Sequence, residues 1–120
     1  VRDTTNTIDN ERVRVYVNGD ILTKFSTHNN PGASANSGMN QAAVHTIGYQ
    51  SRTVGYGYAD AYMAEMHFLD GYAYGPEYFG EFKEDTDIWI PKEFEGSYGT
   101  NGVYLKGEDS SAFGNDSSDT

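Results

Sequence analysis

Five tyrosines crowd the middle of this chain: Tyr56, Tyr58, Tyr72, Tyr74 and Tyr78. Tyrosine rings stack on sugar faces and anchor protein interfaces, and their hydroxyls stay open to water. These five are the candidate binding residues, for a carbohydrate or for a protein. The competing reading is that they fill a core rim and stiffen turns. Acid groups come next. Glu81, Glu84, Asp85 and Asp87 are neighbours in sequence but fall in an acidic stretch, which reads as a solvated face rather than a catalytic pair. Calcium draws carboxylate and carbonyl oxygens from loops. Asp85 with Asp87, or Asp109 with Asp116, are candidate ligands of that kind. Asp85-Thr86-Asp87 lacks the glycine and distal glutamate of an EF-hand. Calcium apart, no cofactor is expected.

Other chemistries find little support. His28, His45 and His67 are too dispersed for a zinc site, although His45 and His67 could be neighbours on adjacent strands. No serine has a base and an orienting acid. Gly55-Tyr56-Gly57-Tyr58 lacks the Lys-Ser/Thr that would follow in a phosphate loop. The chain reads as a non-enzyme.

The elements that must position these residues are mostly short strands. Residues 12–17 alternate, with Val13, Val15 and Val17 on one face and Arg12, Arg14 and Tyr16 on the other. That pattern predicts a half-buried strand. Asn18-Gly19 then predicts a type I′ hairpin turn, and Ile21–Phe25 the returning strand. Residues 26–43 form a long Ser/Asn/Gly/Ala-rich loop, functional or mobile. Val44–Tyr49 is expected to be a short strand, and Gly55 with Gly57 a turn or bulge. The longest strand is expected over 59–69, with Tyr62, Ala64, Met66 and Phe68 toward the core. Pro76–Gly80 predicts one helical turn. Residues 81–97 are acidic, anchored by Trp89 and Ile90-Pro91. Val103–Leu105 is a last strand after the turn at 99–102. From Glu108 the composition predicts a linker.

Composition sets the outer bounds. At 120 residues the chain suits one domain, with 14 scattered glycines and 37% hydrophobic residues. Its ten Tyr and six Phe argue against disorder over 12–105. The absence of cysteine rules out disulfides and thiolate zinc sites. The net charge of −10 is uneven: residues 1–52 carry five Lys/Arg against four Asp/Glu, and residues 53–120 three against fourteen. Such a surface repels phosphate backbones, so nucleic acid is not an expected partner. No stretch approaches the ~20 apolar residues of a membrane span, so no membrane insertion is expected. The first residue is Val, so the chain is expected to be processed or cut from something longer.

Several motifs in order carry a family likeness: Val15-Tyr16-Val17-Asn18-Gly19, His45-Thr46-Ile47-Gly48 and Tyr62-Met63-Ala64-Glu65-Met66-His67-Phe68. The chain resembles the laminin-G-like (LamG), concanavalin A-like jelly-roll superfamily. It is most similar to LamG-like virion structural proteins of marine bacteriophages of the cyanophage type. The likeness continues through Phe68-Leu69-Asp70-Gly71, Phe79-Gly80-Glu81, Trp89-Ile90-Pro91-Lys92, residues 96–102, Leu105 and residues 114–118. The resemblance implies an all-β antiparallel β-sandwich in a virion component such as a tail fibre or appendage. Its partners would be other virion proteins, copies of itself, or a host-surface glycan. Two departures stand out. Ala64 sits where many LamG domains have an acid, and the front half of the jelly roll is missing.

Residues 1–107 are accordingly expected to be an incomplete sandwich with an extension over 81–107. Residues 108–120 would be a flexible linker or the start of a following unit. An incomplete sandwich has open edges and an uncovered apolar face, which predicts association. Glucanases of this fold carry Glu-x-Asp-x-x-Glu on one strand, a string missing here. The alternative is a carbohydrate-binding module of a secreted bacterial protein. A third reading is a glycan-cleaving enzyme whose catalytic half lies outside this chain.

Overall fold

Asn18-Gly19 sets the first element. The computed structural model describes residues 1–51 and 56–118, the side chains of Ser51 and Tyr56 excepted. Asn18 has φ 50° and Gly19 φ 86°, the two positive values that a type I′ turn requires. The turn joins β1 (Tyr16–Val17) to β2 (Asp20–Ile21), with Val17 opposite Asp20 and Tyr16 opposite Ile21. One further hydrogen bond, Leu22 N–H to Val15 O at 2.9 Å, extends the hairpin. The returning strand is thus shorter than the expected Ile21–Phe25.

The remaining strands are β3 (Tyr49–Ser51), β4 (Tyr56–Tyr58), β5 (Met66–Phe68), β6 (Gly80–Phe82), β7 (Trp89–Pro91) and β8 (Val103–Leu105). Helix among the described residues is confined to two single 3-10 turns, Asp9–Glu11 and Pro76–Tyr78. The chain is mostly-β, as expected. Its strands pair antiparallel as four two-stranded sheets among the described residues: β1-β2, β3-β4, β5-β8 and β6-β7. Two compact units divide them. Val1–Asn36 with Gly71–Ser97 holds β1-β2 and β6-β7, and Ser37–Asp70 with Tyr98–Thr120 holds β3-β4 and β5-β8.

The first unit is organised around a guanidinium. Arg12 is the one buried charged side chain among the described residues. Its Nε donates to Asn6 O at 3.0 Å and its Nη1 to Pro31 O at 3.1 Å, while Asp9 pairs with it as the counter-ion. Those bonds tie the N-terminal turn to the loop after residue 26. That loop is held further by Ser34 N–H to Thr4 O at 2.8 Å and by Arg2 Nη2 to Ala35 O at 2.7 Å. The expected orientation of residues 12–17 is therefore corrected. Arg12 lies inside, Arg14 and Tyr16 are half-buried, and Val15 and Val17 are 43% and 51% exposed. Fixed carbonyls reward the arginine face more than any apolar partner rewards the valines.

The acidic stretch contributes a hairpin that composition hides. β6 and β7 pair with Phe82 opposite Trp89. Asp87, at φ 52°, turns the chain where glycine would be usual, and Lys83 N–H donates to Ile88 O at 2.9 Å. Trp89 is the anchor that the sequence suggests. Its ring lies so close to Gly19 and Gly80 that a Cβ on either would come within 2.5 Å of it, and it meets the Phe82 ring edge-on at 5.0 Å.

In the second unit, β5 pairs with β8 across a long sequence gap, with His67 directly opposite Tyr104. The strand expected over 59–69 is only 66–68, because Glu65 takes φ 54° and breaks the extended run. Tyr62 and Ala64 are exposed, and Met66 and Phe68 are half-buried. The strand expected at 44–49 begins at Tyr49, since Gly48 turns at φ 72°. Gly57 lies within β4, and Gly55 lies outside the described residues. Residues 109–118 fold back on β8. Asp116 Oδ1 accepts from the Tyr104 and Ser118 amides, each at 2.9 Å, and Ser117 N–H donates to Tyr104 O at 2.8 Å.

Those two amides hold the Asp116 carboxyl below its ordinary value, the Tyr104 bond contributing most. A depressed carboxyl stabilises the fold above its unfolded pKa and ceases to do so as the pH drops through its folded one. The tail is therefore expected to loosen only well below about pH 4. The Tyr104 amide proton shift, followed by NMR through an acid titration, should report that step. A midpoint at or above the free-aspartate value would contradict it.

No hydrophobic side chain among the described residues is buried. The expected burial of Val13, Val15, Val17, Tyr62, Ala64, Met66 and Phe68 is therefore corrected: each is exposed or half-buried.

Candidate functional site

Three of the five candidate tyrosines come together in the first unit. Tyr72 and Tyr74 stack with ring centroids 5.4 Å apart and planes 13° apart, and Tyr74 meets Tyr78 at 4.6 Å. Close spacing in sequence and the 3-10 turn at Pro76–Tyr78 bring the rings together. Phe94 closes the cluster from beyond β7, edge-on to Tyr74 at 5.4 Å and stacked on Phe79 at 4.9 Å. Tyr74 is thus spent on packing, while Tyr72 and Tyr78 stay 46% and 45% exposed.

Tyr58 lies in the second unit, 75% exposed, with its ring 4.9 Å from that of Tyr49, its partner in register. The backbone of Tyr56 pairs with Ser51, and its side chain lies outside the described residues. Three of the five thus share the first unit, and Tyr58 lies in the second.

A second aromatic group escapes periodicity altogether. His67 stacks on Tyr104 at 4.3 Å, and Tyr98 lies parallel to both at 5.9 and 5.8 Å. The Tyr98 hydroxyl is hydrogen-bonded to His67 Nδ1 at 2.8 Å, and the Tyr104 hydroxyl donates to Glu65 Oε2. Lys106 Nζ sits 5.6 Å from the centre of the Tyr104 ring. Burial, then the bond to Glu65, pushes the Tyr104 phenol well above its usual range. The only signal in the sequence is an aromatic at each of 98 and 104, and their partners follow from the β5-β8 register alone.

The two groups differ in what their polar tips do. In the His67 group each hydroxyl has a partner inside the protein. Among the described residues no hydrogen bond engages the hydroxyls of Tyr72, Tyr74 or Tyr78. Tyr72 and Tyr78 are exposed, so their hydroxyls face water. The first cluster is consequently the candidate contact surface, and the second a cross-strand brace.

Burial lowers the His67 pKa, with Glu65 opposing by a smaller amount. A base with a depressed pKa supports the fold above its unfolded value and loses that support as the pH falls through its folded value. Stability of the β5-β8 pair should therefore decline as the pH drops below about 6.5. The His67 Cε1 proton should titrate below that midpoint in NMR. A midpoint above it would mean that Glu65 outweighs burial.

The other candidates disperse. Asp85 lies 3.8 Å from Lys83 Nζ on the exposed β6-β7 turn. Asp109 Oδ1 accepts from the Ser111 amide and hydroxyl at 2.8 and 2.6 Å, and Asp116 holds the tail. Among the described residues, no three His, Cys, Asp or Glu side chains converge as a metal site would need. His45 lies outside any strand, its ring nitrogens 2.8 and 3.1 Å from Ala43 O and Gly38 O, and β5 pairs with β8. The expected His45–His67 neighbourhood on adjacent strands is thus corrected. His28 stacks on Phe25 at 4.6 Å.

Comparison with family models, with curated proteins and with solved structures finds no match to this chain. No described helix is long and apolar enough to cross a membrane.

Proposed function

We propose that this chain is a non-enzymatic, LamG-like structural or appendage component of a phage virion, used in assembly or in attachment to a host surface. The observation that carries the reading is the uncovered apolar surface. Val15, Val17, Ile21, Leu22 and Phe82 are all exposed, and a chain of this kind gains its core by docking on another chain. The jelly-roll part of the proposal rests on the ordered motifs in the sequence. The antiparallel pairing of β5 with β8 over more than thirty residues is compatible with it. Partners are other virion proteins or further copies of this chain.

The −10 charge opposes contact between identical copies at low ionic strength, so self-assembly should strengthen with salt. Contact with a basic virion partner should weaken instead. Mass spectrometry of purified particles tests the proposal. Peptides of this chain are expected at stoichiometric levels in the particle. Their confinement to the surrounding medium would overturn the virion reading in favour of a secreted carbohydrate-binding module, which the half-exposed Tyr72 and Tyr78 would also suit.

A further inference from the structure

We propose that residues 3–7 of a second copy of this chain dock on β8 in place of the chain's own residues 116–120, so that copies join head to tail. The inference rests on the assembly reading above and deepens it by naming the segment and the seam that join two copies.

The sequence holds one short string twice, as Asp3-Thr4-Thr5-Asn6-Thr7 and as Asp116-Ser117-Ser118-Asp119-Thr120. Each is an aspartate, two hydroxyl residues, an Asn or Asp, and a threonine. The two fold alike at their start. Asp3 Oδ1 accepts from the Thr5 amide at 3.0 Å, and Asp116 Oδ1 from the Ser118 amide at 2.9 Å. Each also lies at an antiparallel bridge, Arg2 opposite Val13 and Asp116 opposite Leu105. The turn alone does not make such a seam, since Asp109 forms it with Ser111 and bridges no strand among the described residues. The bonds of the two segments fall on opposite edges. Asp3 N–H donates to Arg12 O at 2.8 Å, whereas Ser117, the counterpart of Thr4, donates to Tyr104 O at 2.8 Å. Successive amides of an extended chain point to opposite sides. Among the described residues no hydrogen bond engages the Thr4 N–H or the Asp116 N–H. One segment of this kind can therefore close residues 12–14 of its own copy through the Asp3 amide and β8 of a neighbour through the Thr4 amide. Ser34 takes only the Thr4 carbonyl. Asp3 Oδ1 would accept the neighbour's Tyr104 amide, as Asp116 Oδ1 does at 2.9 Å.

Charge favours the exchange. Residues 2–7 set Arg2 against Asp3, whereas residues 115–120 carry two aspartates and no cation. Around β8, residues 98–114 add Glu108 and Asp109 against Lys106, and Glu65 accepts the Tyr104 hydroxyl. The incoming segment thus meets less repulsion than the tail it displaces. The tethered tail still competes, at an effective concentration in the millimolar range. A contact of this kind is heterologous, so it extends into rings or open filaments.

A synthetic peptide of residues 1–7, labelled at its C-terminus, tests this against the 120-residue chain by fluorescence anisotropy, with the Tyr104 amide followed by NMR. The peptide should bind and shift that amide. Asp116→Ala, which frees β8 of the tail, should tighten binding about tenfold. N-methylation of the peptide at the Thr4 amide should weaken binding roughly tenfold, and at the Asp3 amide should leave it unchanged. A peptide of residues 109–113, which shares the turn alone, should not bind. An unmoved Tyr104 amide, equal effects of the two N-methyl groups, or binding of the 109–113 peptide would each overturn the seam. So would unchanged or weaker binding to an Asp116→Ala chain that keeps its circular dichroism. Where that variant loses its circular dichroism, the two N-methyl peptides decide on the parent chain. Sedimentation of the parent chain reports assembly separately. Assembly without peptide binding removes this inference alone, and absence of both removes the assembly reading too.

Discussion

Gly99→Ala is expected to unfold much of the second unit. Gly99 has φ +81°, and an added Cβ would strike the backbone carbonyl of Asp70, with Asp70 C at 2.9 Å and Asp70 Cβ at 3.2 Å. A side chain in the way could rotate, but a carbonyl of the main chain cannot. The left-handed conformation alone costs about 1–2 kcal/mol for a residue with a Cβ. Relieving the clash means moving Asp70, whose N–H donates to Tyr98 O at 2.8 Å and whose Oδ2 accepts from Asn101 Nδ2 at 2.9 Å. Each lost bond adds about 1 kcal/mol. A total of about 3–4 kcal/mol is a large part of an ordinary domain's 5–15 kcal/mol. Amide exchange at fixed protein concentration is the measurement. β5 and β8 should lose protection while β1-β2 and β6-β7 keep theirs. Full protection of β5 and β8 in the variant would refute the geometry.

The second large effect lies at Trp89. Trp89→Ala removes the ring that Gly19, Gly80 and Phe82 share, and half-burial sets its cost near the lower end for such truncations, about 3 kcal/mol. Gly19→Ala is expected to cost about 2–4 kcal/mol, part from φ +86° and part from overlap with the ring, whose Cε3 would lie 2.7 Å away. The two substitutions share one contact, so the double variant should lose less than the sum, by about 1 kcal/mol or more. Thermal melts of the four proteins, followed by tyrosine circular dichroism, give the coupling directly. Strict additivity would mean that the hairpin turn and the Trp89 ring do not meet.

Much of the local structure was legible because turns announce themselves chemically. Asn18-Gly19 specified its own φ values, Pro76–Gly80 its single helical turn, and the 99–102 turn the entry to β8. The misreading of residues 12–17 has a plain cause, because alternation assumes an apolar layer waiting on one side. Arg12 found carbonyls at Asn6 and Pro31 instead, which inverted the covered face of residues 12–17. Glu65 turned left-handed and cut the long strand short. The β6-β7 hairpin went unseen because an aspartate, not a glycine, makes its turn.

The candidate site divides the same way. Tyr72, Tyr74 and Tyr78 are near neighbours in sequence, so their clustering needed only one local turn. His67, Tyr98, Tyr104 and Glu65 meet through a pairing between distant strands, and no local pattern encodes that register.

Everything rests on the lack of a buried hydrophobic side chain among the described residues. Sedimentation velocity of the 120-residue chain, paired with melts over a range of protein concentrations, probes that most directly. Species heavier than 13.3 kDa are predicted, with a melting midpoint that rises with concentration. A lone monomer that unfolds in one sharp, concentration-independent step at high temperature would contradict it.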